Sequence, residues 1–350
     1  MAREGSVVAY VGFNDPRVHQ RGTENVIRLQ ARANKRSYYF YRGGRRECFR
    51  WGQIIAISLP MPYLLGFVVL NRLLGRLRAK HPDLLVHAHH YILALGILVG
   101  PLLFTIHDGL YYQKKSIGSR RTLIFRVLEW IVYAKSRKIH SISKYSWTQA
   151  VGADCFRRKV TFIYNSIAQE PTPHSSAKTL GDYYLIVRSI EERANFDLIL
   201  DLAQRMLDVG ETTRILVSGK GPLLNHYRTA ATRRKLTNLT FMGYVSDAEL
   251  DQLYQQARCV LMPALYGEGF GLPLIEAYAR GIPAVGSDVC AVPEVIFDPK
   301  HLFGNSIDAL QAAIRAAESV SADDYRRYFL RRFGIEAIVK DYKAFYQVTR

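Results

Sequence analysis

Short, uninterrupted apolar runs, each followed by a helix-length stretch, constrain this chain more than any other feature. Residues 7–12, 37–41, 54–59, 83–89 and 102–107 read as strands, with shorter ones at 139–141 and 160–164. Strands that are apolar throughout, rather than alternating, belong to parallel sheets covered by helices on both faces. Helices are predicted over 24–34, after Pro60 and Pro62 through Lys80, and over 120–135, the last a long basic one. The Pro/Ser-rich stretch 168–182 interrupts the pattern and is the best linker. The alternation then restarts, with strands at 183–189, 213–218, 239–242, 259–265 and 284–287. Helices follow at 196–207, after the capping box Ser246-Asp-Ala-Glu249, and at the end through Tyr346. The expected fold is α/β, with two doubly wound parallel-sheet domains in tandem and ligands bound where strand C-termini face a cleft. A length of 350 residues suits two such domains.

Charge is placed unevenly. Residues 1–170 carry 27 Lys+Arg against 9 Asp+Glu, whereas 171–350 carry 21 of each, so the whole net charge of +18 lies in the first half. Such a field attracts nucleic acid, anionic lipid headgroups or phosphorylated substrates. Cys48, Cys155, Cys259 and Cys290 have no CxxC spacing and read as reduced, mostly buried thiols of a cytosolic protein. The N-terminus runs into an apolar strand without a signal-peptide core, which fits the same compartment. Residues 51–71 hold no charge and are long enough to raise a transmembrane span. Pro60 and Pro62 would break a helix there. A strand, turn and helix is therefore preferred over a membrane-surface helix ending in Arg72, Arg76, Arg78 and Lys80.

The densest candidate chemistry is Glu268-Gly-Phe-Gly-Leu-Pro-Leu-Ile-Glu276. Glu268 falls in a loop after a strand, and Glu276 one turn into a short helix that Pro273 opens and Gly281 closes. Free N–H groups at that helix start, with Gly269 and Gly271 permitting close approach, suit a phosphate or a sugar. Other candidates also follow strands: Arg188, Gly219-Lys220-Gly221, Gly243-Tyr244-Val245, the His19-Gln-Arg-Gly22-Thr-Glu24 loop and His107-Asp-Gly109. Each alone admits a plainer reading, as an ion pair, a turn or a satisfied histidine. Gly219-Lys220-Gly221 lacks the Ser/Thr of a phosphate-binding Walker loop. His87, His89 and His90 look like a metal cluster, but His90 points away from the other two and no acid is close, so structural histidines are expected. No Asp-x-Asp pair ends a strand to hold a divalent ion. Cationic side chains and a helix start would then neutralise a leaving phosphate, with no metal or cofactor.

Taken jointly, these residues resemble the family 4 retaining glycosyltransferases of GT-B fold. The resemblance is carried by Arg21-Gly22-Thr-Glu24, Pro82-Asp-Leu-Leu-Val-His-Ala-His89, Phe104-Thr-Ile-His107, Ile163-Tyr-Asn165-Ser and Phe241-Met-Gly-Tyr-Val-Ser-Asp247. It continues through 263–277 and Gly281-Ile-Pro-Ala-Val and spans most of the chain, the Glu-x7-Glu block being its most specific part. It implies two Rossmann-like domains facing a central cleft. Residues 1–168 would bind the acceptor, with helix 335–350 packing back on them, and 169–334 would bind the donor. The implied activity is transfer of a hexose-type sugar from a UDP- or GDP-linked donor with retained configuration. By the same resemblance Glu276 holds the donor ribose, Glu268 with the Gly269-Phe270-Gly271 backbone holds the donor sugar, and Arg188 and Leu272 carry the diphosphate. Tyr244 and Val245 border the base, His107 contacts the transferred sugar, and the Gly22 loop closes over the diphosphate. A front-side mechanism needs no enzyme nucleophile, so Glu268 is assigned positioning and electrostatic work.

Two departures stand out. Ala194 occupies the place of a lysine usual in the family, leaving Arg193, Lys220 or the Gly22 loop to supply the charge, and the loop has one glycine where a pair is common. The basic first half suits a polyprenyl-diphosphate-linked oligosaccharide at the anionic inner face of the cytoplasmic membrane, in assembly of exopolysaccharide, capsule or lipopolysaccharide. Competing readings are a GT-B nucleotide-sugar epimerase or phosphorylase, and a basic nucleic-acid-binding protein. The last lacks a recognition helix or an aromatic RNA platform, so no nucleic-acid partner is expected.

Overall fold

A computed structural model describes residues 6–18, 22–45, 47–60, 63–109, 122–167 and 181–347. His19, Gln20 and Arg21 of the candidate loop, Pro62, the first two residues of the helix expected over 120–135, and most of the linker expected at 168–182 lie outside the described residues. The chain divides into two compact units, Met1–Ala168 with Ile335–Arg350, and Gln169–Gly334.

The first unit is built on an eight-stranded sheet: β1 (Val7–Val11), β2 (Arg36–Arg42), β3 (Cys48–Trp51), β4 (Ile54–Leu59), β5 (Leu85–Ala88), β6 (Leu102–Ile106), β7 (Lys138–Ser141) and β8 (Val160–Phe162). Their order is β3-β4-β2-β1-β5-β6-β7-β8, with every pair parallel except β3 on β4. That antiparallel edge strand was not foreseen. It is short and largely exposed, and Trp51 pairs with Ile54 across a two-residue turn in which Gly52 takes φ 60°, the backbone such hairpins require. The uncharged stretch 51–71 is thus the end of β3, all of β4 and the start of the helix Tyr63–Lys80. Among the described residues no helix is long and apolar enough to cross a membrane.

Residues of β1 alternate between two cores, as the period of a strand demands. Val7, Ala9 and Val11 face Leu70 and Leu74 of Tyr63–Lys80 and Val132 and Tyr133 of the helix Thr122–Lys135. Val8 and Tyr10 face Ile27 of the helix Thr23–Arg32 and Ile338, Tyr342 and Tyr346 of the helix Ile335–Gln347. The helix expected to be basic is not so in its described part, where Arg126 and Lys135 are the only basic residues and Leu123, Ile124 and Val127 are exposed. The cysteines also depart from expectation. Cys259 is buried, but Cys48 on the edge strand and Cys155 in a one-turn helix are exposed, and all are free thiols.

The second unit has a wholly parallel sheet of β9 (Tyr183–Val187), β10 (Arg214–Ser218), β11 (Leu239–Gly243), β12 (Cys259–Met262), β13 (Ala284–Ser287) and β14 (Leu302–Phe303). The order is β11-β10-β9-β12-β13-β14. The chain winds outward from β9 to β11, then crosses back to start again at β12. The carboxyl ends of β9 and β12 are therefore the topological switch point, where open α/β sheets bind ligands. Its core takes Phe196, Ile199, Ala203 and Met206 from the helix Phe196–Asp208, an i, i+3, i+7 stripe. The helix Leu224–Arg233 was not foreseen; only Tyr227 and Ala231 of it are buried, too narrow a stripe to read.

Candidate functional site

Arg188 leaves the carboxyl end of β9, and the loop carrying Glu268 leaves that of β12. Being neighbours in the sheet, the two ends bring these residues together. Arg188 Nη2 lies 3.6 Å from Glu268 Oε2, with the side chains 8% and 20% exposed. Arg188 Nη1 donates to the backbone carbonyl of Pro263. Its Nε–H is buried with no hydrogen-bond partner among the described residues. Burial pulls this guanidinium below the usual arginine range, and Glu268 opposes that pull. A buried cation with an unused donor favours negative charge beside it.

The Glu268 loop is braced from β13. Ser287 Oγ accepts from Ala264 N at 2.9 Å, and the Glu268 carbonyl accepts from Ala291 N at 3.2 Å. The helix Leu272–Ala279 then opens at Gly271, whose φ of 102° strains any other residue and which has no side chain to cap the first turn. Phe270 is buried against Phe333, with ring centroids 6.0 Å apart. Glu276 accepts a hydrogen bond from Tyr254 Oη at 2.6 Å. Tyr254 is itself buried, and the Arg280 guanidinium sits 4.9 Å over its ring while pairing with Asp251 at 2.6 Å. Tyr254 was missed in the sequence. The available signal was register, because Leu250 and Tyr254 follow the N-cap Ser246 at i+4 and i+8 on the buried side.

The other strand ends pack around this pair. Gly219 N donates to the Gly243 carbonyl at 2.8 Å and Ile190 N to the Lys220 carbonyl at 3.0 Å. A Cβ at Gly219 would collide with the Arg188 carbonyl, and one at Gly221 with the Ile190 backbone. This turn is glycine-rich because three strand ends crowd it. Lys220 Nζ lies 5.0 Å over the ring of Tyr244, which is exposed, whereas Val245 is buried. Ala194 is fully buried in the core, so its position offers no charge to the site. Arg193 beside it donates to the Gly267 carbonyl at 2.6 Å, in the loop that carries Glu268.

Gly22 and His107 belong to the first unit. Gly22, with φ 72°, precedes the helix Thr23–Arg32, and the buried Glu24 accepts from Asn14 Nδ2 at 3.1 Å. His107 follows β6; its Nε2 is 3.0 Å from His89 Nδ1, and its carbonyl accepts from Ser146 Oγ at 3.0 Å. His87 and His89 are buried side by side, while His90 turns away and stacks on Phe13 at 4.9 Å. Burial drives His87 and His89 well below the usual histidine range, and His107 down to about 3, with the neighbouring His140 adding to the drop. These rings are neutral at pH 7. Among the described residues no group of three or more His, Cys, Asp or Glu is placed to hold a metal ion.

The family model described as Glycosyltransferase Family 4 matches residues 19–170, and that described as Glycosyl transferases group 1 matches residues 170–329. Between them they tile the chain from 19 to 329. The chain is 40% identical over 89 residues to O-antigen chain mannosyltransferase B of Escherichia coli, which covers 25% of this chain and 23% of that protein. It is 33% identical over 148 residues to a GDP-mannose-dependent alpha-(1-6)-phosphatidylinositol dimannoside mannosyltransferase of Mycobacterium tuberculosis, covering 41% and 37%. The matched stretches thus span less than two thirds of either relative. Among solved structures, HepE of Anabaena, crystallised with UDP and glucose, superposes with a TM-score of 0.73 at 14% identity, over 98% of this chain and 100% of that one. The likeness identifies the fold as GT-B.

Proposed function

The chain belongs to the family 4 glycosyltransferases, and we propose that it moves a hexose from a nucleoside diphosphate sugar to a growing glycan or glycolipid, with retention of configuration. The observation that carries this reading is the largely buried Arg188–Glu268 pair at the β9/β12 switch point, beside a helix start that opens on Gly271. As the glycosidic bond breaks, negative charge builds on the leaving diphosphate. Arg188 and the first-turn N–H groups meet that charge, and Arg193 and Lys220 add to the field around it. Glu268 orients the sugar hydroxyls, and Glu276, held by Tyr254, takes the ribose. Because the protein supplies the cations and no Asp-x-Asp pair ends a strand, the reaction runs without a divalent metal. Mannosyltransferases among the relatives make GDP-mannose the first donor to test, with UDP-sugars next.

The expected result is transfer of label from one nucleotide sugar into the lipid phase of a bacterial membrane extract, unchanged by EDTA. Transfer from no donor in a GDP- and UDP-sugar panel sinks the reading, and isomerisation or phosphorolysis of the donor replaces it with another GT-B activity.

We further propose that the acceptor is lipid-linked and met at an anionic membrane face. On one side of the first unit's sheet the helix Tyr63–Lys80 exposes Leu64, Leu65 and Val68, and Thr122–Lys135 exposes Leu123, Ile124 and Val127. Arg72, Arg76, Arg78 and Lys80 follow on the first of these helices. Apolar side chains flanked by basic ones suit insertion among anionic headgroups. Sedimentation with phosphatidylglycerol vesicles is expected, weakening by more than about tenfold when Leu123, Ile124 and Val127 are changed together to serine. Equal binding to neutral phosphatidylcholine vesicles counts against the charge argument.

A further inference from the structure

A directed hydrogen-bond chain runs through the first unit to His107. Its anchor is the backbone carbonyl of Ile163, which can only accept. His140 of β7 faces that oxygen through Nε2 at 2.9 Å, so Nε2 carries the proton and Nδ1 of the neutral ring must accept. The Gln30 amide nitrogen lies 3.4 Å from this Nδ1 and 3.3 Å from Thr105 Oγ1. Thr105 Oγ1 is itself 3.1 Å from that Nδ1 and donates to it, so the opposite arrangement would set an amide oxygen against the ring lone pair and compete for the one hydroxyl proton that satisfies it. Gln30 therefore turns Oε1 to His89 Nε2, at 3.0 Å. His89 donates there and offers a lone pair on Nδ1, which His107 Nε2 meets at 3.0 Å. His107 thus carries its proton on Nε2. No hydrogen bond from the described residues reaches its Nδ1.

We propose that Gln30 and His89 are positioning residues that lock His107 in its Nε2–H form, so that His107 meets substrate only as a hydrogen-bond acceptor. A lone pair so presented accepts a hydrogen bond from a hydroxyl and repels a phosphate oxygen. Direction is fixed across elements far apart in sequence, because each acceptor leaves its neighbour only one tautomer. Naming the donor of that hydrogen bond as a sugar hydroxyl rests on the glycosyl-transfer reading; the tautomer itself does not.

The test is long-range ¹H–¹⁵N correlation NMR of the histidine rings in the full chain at pH 7, with His107 assigned from the spectrum of His107→Gln. A pyrrole-like Nε2 and a pyridine-like Nδ1 are expected at His107, and the reverse pattern overturns the proposal. His89→Leu should lower kcat by about 10–100-fold, by analogy with the loss of the partner that orients a metal-bound histidine, with donor KM little changed. His89→Asn, which keeps an oxygen acceptor near the place of Nδ1, should recover most of that loss. Equal activity of the two variants, both confirmed folded by thermal melting, also overturns it. The wild-type spectrum decides the matter even where His89→Leu fails to fold. A correct tautomer in a protein that transfers no sugar leaves the lock standing and removes the glycosyl-transfer reading instead.

Discussion

Arg188→Met lowers kcat/KM for the nucleotide-sugar donor by about 10²–10³-fold, the loss typical when one preorganised donor to a developing charge is removed. Arg188 touches Pro263 and Glu268 at once, so the variant also leaves the mostly buried Glu268 carboxylate without its cation. Stability then falls by about 1–3 kcal/mol, the cost of one unsatisfied buried polar group. The two effects separate in Arg188→Met/Glu268→Gln. Neutralising the stranded carboxylate restores most of the stability, because an absent pair costs less than a broken one, whereas turnover stays low. Arg188→Lys keeps the charge but lacks the planar fork that reaches both partners, and it should fall between wild type and methionine. Steady-state kinetics beside urea unfolding of the same four proteins checks this. Wild-type turnover in Arg188→Met removes the site reading altogether.

What could be read in the sequence follows from how local each signal is. Strands buried on both faces, such as β1, β6 and β9, announce themselves by continuous apolar runs. The bend at Gly271 and the capping box at Ser246 are set by residues within a few positions of one another. The edge strand β3 and the two-residue β14 escape because little of either is needed for a core. Tyr254 and the His140–Gln30–His89–His107 chain escape for another reason. Their partners lie many residues away on different elements, and only the strand order brings them together.

Ala194 shows the limit from the other side. The sequence marks it as an empty lysine position, but not that the position is sealed in the core beneath Arg193. The stripe Ile338, Tyr342, Phe345 and Tyr346 likewise says that one face of the last helix is buried. The resemblance sets that face on residues 1–168, but neither says which side chains it meets. Strand register and the buried clusters supply the answer, placing those side chains against Tyr10 and His87 of the first sheet.

That placement makes the last helix a condition for folding of the first unit. Ile338, Tyr342, Phe345 and Tyr346 are each at most 2% exposed. At about 1.5–3 kcal/mol per buried side chain, stopping the chain at Gly334 forfeits roughly 6–12 kcal/mol, comparable with the whole stability of a domain at about 5–15 kcal/mol. The cut also strands polar groups, since Tyr346 Oη lies 2.8 Å from His87 Nδ1 and 3.3 Å from Tyr10 Oη. On one face of the second unit's sheet, the core cluster from Tyr184 to Ala317 contains no residue of the removed helix. Truncation at Gly334 should therefore abolish the calorimetric transition of the first unit and leave that of the second, which a fragment of residues 169–334 should reproduce alone. Tyr342→Ala offers a graded version, destabilising the first unit by about 3–5 kcal/mol. Two unchanged transitions in the truncated chain would mean that the last helix is an accessory to the sheet and that the first unit's core closes without it.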